Sequence, residues 1–328
     1  MHNFKLVCVS LRLLFGIALA FAFSPHALPQ STQATPADSL PFTLKPLGHN
    51  AYAAIDGPKG EAGANAGFVI GDDAVLVVDS FASAGAAKKL LAEIHKLTPL
   101  PVKYVVNTHY HLDHTGGNRV FQDAGASVIA HRNVPAWIHT ENLKFFGKNI
   151  KPEQESLVEG LGSPNIVYDR NAEILLGSVI VQVSYFPGHT GGDSVVFIPS
   201  ASVVFAGDLF WNQTLPNLID ASTEPWIATL EQIKKRAPSA IFVPGHGDVG
   251  NVANVEAFRG YLQDIRKWTE APAKAGRTGD DLANAVMPAL QEKYGKWNFF
   301  GYFSRPNILD TAAEWSGIKK IPVPTAAN

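Results

Sequence analysis

Three imidazoles and a carboxylate fall within the six residues from His109 to His114, in the run Thr108-His109-Tyr110-His111-Leu112-Asp113-His114. Such a density of metal ligands, directly behind the apolar stretch Val102 to Val106, is more than the packing of a strand end requires. His109 and His111 stand two apart, so an extended backbone points both to one side. Asp113 and His114, just past the turn, reach a second position beside the first. One ion does not need all four donors, whereas two adjacent ions do. The chemistry expected is that of a binuclear metallohydrolase. Two divalent ions about 4 Å apart hold a shared water and lower its pKa towards roughly 7, so that hydroxide forms near neutral pH and attacks an electrophilic centre. Asp113 would give one oxygen to the metal and orient that nucleophile.

Three further candidates share one context, a short apolar strand that ends in a glycine-containing turn. His189 follows Val181 to Phe186 in Pro187-Gly188-His189-Thr190, Asp208 follows Val203 to Gly207, and His246 follows Ile241 to Val243 in Pro244-Gly245-His246-Gly247. Side chains at the ends of neighbouring strands converge on one rim of a sheet sandwich, and glycines beside them let the backbone bend sharply. The other histidines (His2, His26, His49, His95, His131, His139) lack such a setting and read as surface or core residues.

The elements that must position these residues are legible as apolar runs. Ala51 to Ile55, Ala66 to Ile70 and Val75 to Val78 read as strands, with Gly71-Asp72-Asp73 as a turn and Gly57 to Gly67 as a long, mobile hairpin connection. Ala84 to Leu97 has helical periodicity, with Ser83 as N-cap and Pro99 beyond its end. Val102 to Val106 is a buried strand feeding the histidine-rich loop; Ser127 to Ala130 is a strand and Val134 to Phe146 a helix. A second strand-rich half follows: Ile166 to Tyr168, Glu173 to Leu176, Val179 to Phe186, Ser194 to Ile198 and Ser202 to Ala206. Glu224 to Arg236 is a helix and Ala240 to Val243 a last strand. Beyond Gly250 only helices are expected, over Val252 to Thr269, Asp280 to Tyr294 and Arg305 to Trp315. Two strand-rich halves, each with helices, suggest two sheets packed face to face with helices outside.

Composition narrows the setting. The chain has 328 residues, 46% of them apolar, enough for one large core with an appendage. A net charge of −2 and the lack of a basic block with interleaved aromatics point away from nucleic acid. A basic start (His2, Lys5, Arg12) and the apolar run Leu13 to Phe23, broken by Pro25, Pro29 and Pro36, read as a signal peptide and linker over residues 1–34, too short to span a bilayer. The expected location is therefore periplasmic or secreted, with no membrane attachment after cleavage. The single cysteine, Cys8, lies in that segment, so no thiolate ligand, thiol nucleophile or disulfide is expected in the mature chain. Histidine and carboxylate ligands suit zinc, iron or manganese.

Taken in order, Val-Val-Asp at 77–79, His-x-His-x-Asp-His at 109–114, Gly-His-Thr at 188–190, Ala-Gly-Asp at 206–208 and Pro-Gly-His at 244–246 resemble the motifs of the metallo-β-lactamase superfamily, over roughly residues 42 to 250. The resemblance implies an αββα sandwich of two mixed sheets, here with a catalytic domain over 35–250 and a helical extension over 251–328. It implies two zinc ions, the first on His109, His111 and His189 and the second on Asp113, His114 and His246, with Asp208 bridging and Asp79 supporting from behind the ligands. A ligand set with a bridging aspartate and no cysteine is more similar to thioesterases, lactonases and phosphodiesterases than to the family's β-lactamases. The tail, with Phe303 to Ile308 and Trp315, is most similar to exported hydrolases associated with quinoprotein systems. The function expected is an exported dinuclear zinc hydrolase of a small ester, lactone, thioester or β-lactam. Alternatives are a phosphodiesterase on the same site, or a metal-binding accessory protein of a periplasmic redox system. Tyr110, Trp211, Asn212, Phe145 and Phe146 are expected to line the substrate pocket. The aromatic run Trp297, Phe299, Phe300, Tyr302, Phe303 is expected to pack the tail onto the sandwich or to form a lid.

Overall fold

A strand covered on both faces is apolar at every position rather than every second one, and Val75-Leu76-Val77-Val78 is of that kind. Val75 and Val77 pack outward with Leu90, Ile94 and Phe121, while Leu76 and Val78 pack inward with Val181, Val196 and Phe205. The same alternation splits Val195 and Phe197 from Val196 and Ile198 across the second sheet. Two sheets thus share an inner core, and each buries its outer face under helices. The computed structural model describes residues 39–324; the signal peptide and linker read over residues 1–34 lie outside them.

The first sheet keeps sequence order: β1 (Phe42–Gly48), β2 (Ala51–Asp56), β3 (Ala66–Ile70), β4 (Val75–Val78), β5 (Val102–Val106), β6 (Ser127–His131) and β7 (Ile166–Tyr168). Pairing is antiparallel up to β4 and parallel from β4 to β7. The second sheet runs β12-β11-β10-β9-β8, from β8 (Asn171–Leu176), β9 (Val179–Tyr185), β10 (Ser194–Ile198), β11 (Val203–Trp211) and β12 (Ile241–His246). It is antiparallel except for the parallel pair β11–β12.

Helices α1 (Ala84–Leu97), capped by the Ser83 hydroxyl on Ala86 N, and α3 (Asn118–Asp123) cover the first sheet, with α2 (Leu112–Thr115) inside the histidine-rich loop. Short helices α4 (Val134–Trp137) and α5 (Pro152–Glu159) follow. Helices α6 (Thr223–Arg236), α7 (Val252–Lys274), α8 (Gly279–Tyr294) and α9 (Phe300–Trp315) cover the second sheet. Phe258 and Ile265 of α7, Val286 of α8 and Ile308 of α9 share one apolar cluster with Val204, Phe210 and Phe242 of the sheet. The architecture is the expected four-layer sandwich of two mixed sheets with C-terminal helices. Among the described residues no helix is long and apolar enough to cross a membrane.

Three local expectations need correction. The helix read over Val134 to Phe146 ends at Trp137, and Glu141–Phe146 is a tighter 3-10 turn. The cause is Asn142, whose side-chain amide donates to Ile138 O (2.9 Å) and to Tyr110 O (2.8 Å) while its oxygen accepts from Leu112 N (2.8 Å). That side chain thereby tethers this segment to the histidine-rich loop instead of continuing a helix. Helix α9 starts at Phe300 rather than Arg305, so Phe300, Tyr302 and Phe303 of the aromatic run occupy its first turn. The connection after β2, read as a mobile hairpin, is tied at its far end to β12: Asn65 N donates to Gly245 O (2.8 Å) and its side-chain amide to Pro244 O and Gly247 O.

Candidate metal centre

Parallel strands in this sandwich end along one rim, and the candidate ligands sit there. The loop after β5 carries His109 to His114, the turn after β9 carries His189, β11 carries Asp208, and β12 ends on His246. The close approach depends on glycine. Gly207 adopts φ +50, where a side chain would be strained, and a Cβ there would meet the Thr108 side chain at 2.4 Å. A Cβ on Gly245 would lie 1.8 Å from Asp208 Oδ1.

The donor atoms gather as His109, His111, His189 and Asp208 on one side and Asp113, His114 and His246 on the other, with the donors of each group within 4.8 Å of one another. Asp208 stands between them. Its Oδ2 lies 3.1 Å from His189 Nε2 and 3.7 Å from His109 Nε2, and its Oδ1 lies 3.1 Å from His114 Nε2 and 3.5 Å from His246 Nε2. His189 Nε2 faces His111 Nδ1 at 3.1 Å, and His246 Nε2 faces Asp113 Oδ2 at 3.3 Å. Ligands at about 2.1 Å around a tetrahedral zinc are separated by about 3.4 Å, so these spacings are those of tetrahedron edges. The Nε2 atoms of His109, His114 and His246 and Oδ1 of Asp208 are buried without a hydrogen-bond partner outside the cluster, which is unfavourable unless a proton or a cation is shared among them. The donor set fits metal ions.

Charge in the cluster has the same sense. Burial would push His246 down, but Asp208 and Asp113 outweigh it and raise it to about 9. His114 goes well above its ordinary value against the same burial, drawn by Asp208, Asp113 and Asp79. Burial would raise Asp113, yet His114 and His246 bring it to about 2. The carboxylates therefore demand positive charge at this spot, from protons or from metal.

Polar groups behind the ligands fix which nitrogen faces inward. Asp79, held at φ +59, accepts from Thr108 N (2.7 Å) and Thr108 Oγ1 (2.7 Å) and lies 2.8 Å from His114 Nδ1, leaving His114 Nε2 for the centre. Thr108 Oγ1 also sits 3.1 Å from His109 Nδ1. His111 is reversed: Asp220 Oδ2 lies 3.2 Å from its Nε2, so its Nδ1 points inward. Asp220 also accepts from the Tyr110 hydroxyl and from Lys144 Nζ (2.5 Å). Asp193 takes the N–H (2.8 Å) and hydroxyl (2.5 Å) of Thr190, bracing the His189 turn, and burial raises it to about 7.

The structure separates the proposed substrate contacts. Trp211 reaches the cleft over the centre and stacks on His246 at 4.0 Å between ring centres; Phe145 and Phe146 also line that cleft. Tyr110 does not, because it is fully buried with its hydroxyl on Asp220. Nor does Asn212, whose amide ties down Asp248 O (2.8 Å) and Val249 O (3.3 Å). Asp220, Lys144 and Asn142 were not singled out from the sequence. Asp220 is a lone carboxylate in Leu218-Ile219-Asp220-Ala221, without local pattern, whereas Asp193 had a signal in the tight Thr190-Gly191-Gly192-Asp193 turn.

Residues 60–246 match the family described as Metallo-beta-lactamase superfamily. A linear primary-alkylsulfatase from a Pseudomonas species is 23% identical over 272 residues, which cover 68% of this chain and 51% of that protein. A probable metallo-hydrolase, YqgX, from Bacillus subtilis is 26% identical over 200 residues, 58% of this chain and 88% of that one. Among solved structures, a metallo-β-lactamase from Pontibacter korlensis superposes with a TM-score of 0.56 at 21% identity, over 68% of this chain and 99% of its own. At that identity the likeness shows the fold. The chain spans about half the length of the alkylsulfatase.

Proposed function

The chain belongs to the metallo-β-lactamase superfamily, and from that premise we propose that it is an exported dinuclear zinc hydrolase acting on a small ester, lactone, thioester or β-lactam. The observation that carries the reading is Asp208, whose two oxygens divide between two groups of ligands set at tetrahedral spacing. Five imidazoles and two short carboxylates supply the nitrogen and oxygen donors that zinc accepts in four-coordinate sites. The basic start and apolar run at the N-terminus support export.

When bound, two zinc ions supply Lewis acidity and a concentrated positive charge that lets water ionise near neutral pH. The chain's own groups do the rest. Asp113 is the ligand side chain open to the cleft, 34% exposed, and its ionised carboxylate hydrogen-bonds and orients the attacking water. His114, braced by Asp79, and His111, braced by Asp220, keep their inward nitrogens fixed, so no reorganisation is needed during reaction. Trp211 and its aromatic neighbours exclude bulk water from one side.

The test is metal content by mass spectrometry together with turnover of chromogenic esters, a lactone, a thioester and a β-lactam, with a chelator control. Two zinc ions per chain and chelator-sensitive turnover on one of these classes are expected, with Asp208→Asn losing about half the zinc and most of the rate. Full zinc occupancy without turnover of any substrate would overturn the enzymatic reading in favour of an accessory metal-binding role. A second reading, hydrolysis of an alkyl sulfate ester, is favoured by the named activity of the Pseudomonas relative and by the apolar cleft; octyl sulfate belongs in the same panel.

A further inference from the structure

The centre opens onto a cleft of about 310 Å³ whose remaining walls are mostly hydrocarbon: Phe145, Phe146, Trp211, Phe299 and Phe303, with Leu112 beside them. These rings come from three separate parts of the fold, the 3-10 turn, the end of β11 and the start of α9. Phe299 is held in an unfavourable conformation to be there. Its φ is +61, a left-handed backbone that a bulky residue adopts only where the surroundings over-determine it. The surroundings do: Asn298 N donates to Gln213 O (2.9 Å) and Leu215 N to Asn298 O (2.9 Å), a bridge that ties the aromatic run to the segment after β11. A ring serving only as core would be covered, yet Phe299 is 44% exposed and sits 6.2 Å from His246 and 6.5 Å from Trp211.

Away from the metal ligands the cleft also lacks counter-charge. Among the described residues that line it none is lysine or arginine. Lys144, next to Phe145, is engaged by Asp220 (2.5 Å) and Glu141 (3.3 Å). Lys45 lines the neighbouring cleft that shares His246 and Phe299, and it is engaged by Asp248 at 2.6 Å. An anionic group pushed among these rings would lose its water and find no partner.

Resting on the hydrolase reading above, we infer that this cleft selects an uncharged, apolar acyl or alkyl group carried next to the scissile bond, with Phe299 and Phe303 as its specificity-determining residues. The start of the C-terminal helical layer is then part of the substrate site as well as of the core.

The test uses the zinc-loaded protein and para-nitrophenyl esters of acetate, butyrate and octanoate, beside the para-nitrophenyl half-ester of suberate, which matches octanoate in length but ends in a carboxylate. The kcat/KM should rise roughly fourfold per buried methylene until the cleft is full, and the half-ester should fall about tenfold or more below octanoate. Phe299→Ala should lower the octanoate-to-acetate ratio about tenfold, and Phe299→Leu should keep most of it; a merely structural role would lower every ester by one common factor. Chelator-sensitive turnover that ignores chain length, or treats octanoate and its half-ester alike, overturns the inference and leaves the hydrolase reading in place. If no ester is turned over, octanamide and suberamate are titrated against tryptophan fluorescence. Binding of octanamide about tenfold tighter than suberamate supports the inference without any catalysis, and equal affinity, or binding of neither, overturns it.

Discussion

His111 offers Nδ1 to the centre while its neighbours offer Nε2, because Asp220 claims the other nitrogen. Replacing Asp220 with Asn removes the charge that orients this ring, and zinc affinity should fall about tenfold to hundredfold, read by competition with a chromogenic chelator; an unchanged affinity would reduce Asp220 to a packing role. His246 gives a pH dependence with a definite sign. Its value in the metal-free fold is about 9 against an ordinary 6.5, so its proton contributes stability fully below about pH 6.5, and that contribution disappears as pH rises through about 9. The melting temperature of the metal-free protein should therefore drop over that window. The zinc-loaded protein, which needs neutral imidazole, should show no such drop. The residues that gather at the centre were readable as candidate ligands because three histidines and an aspartate so close together have no packing explanation. Asp220 was not, because its partner His111 is 109 positions away and nothing local marks it.

At the scale of elements, strands announced themselves well. Runs such as Val75–Val78 and Val195–Ile198 are apolar throughout because both faces are covered. Where a side chain competes with the backbone, periodicity misleads, and Asn142 turned an apparent helix into a break that braces the metal loop. The start of α9 was hidden for a different reason: the aromatic residues leading into it divide between core, as Trp297 on Tyr261, and cleft, as Phe299, so no single face repeats. At the junction of β11 with β12 the Gly245 backbone lies close against Asp208. Gly245→Ala must move either Asp208 or the β12 backbone, since its Cβ would fall 1.8 Å from Asp208 Oδ1. The expected outcome is a folded protein by circular dichroism that binds at most one zinc and has lost most of its activity; normal zinc content would show that the junction yields more than its packing suggests.

For the molecule as a whole, the helical tail is bound into the second sheet's outer core through Phe258, Ile265, Val286 and Ile308, and Arg266 fastens α7 to α9 through Glu314 at 2.8 Å. Truncation after Gly250 would leave that sheet face open to water, and the product should be found in the insoluble fraction; a soluble, zinc-binding fragment would mean that the sandwich stands alone. The layered sandwich was legible from the two strand-rich halves, whereas the merging of the tail with the sheet depends on contacts between distant segments. The ligands are likewise drawn from both sheets, so the centre exists only when the entire sandwich has closed. If the centre binds zinc as proposed, mass action would link this protein's survival to the metal supply of its surroundings. Free zinc at a hundred times its dissociation constant would stabilise the fold by about 2.7 kcal/mol, and under metal starvation the chain would spend more of its time open to proteases, so that its abundance would report the zinc status of the compartment it inhabits.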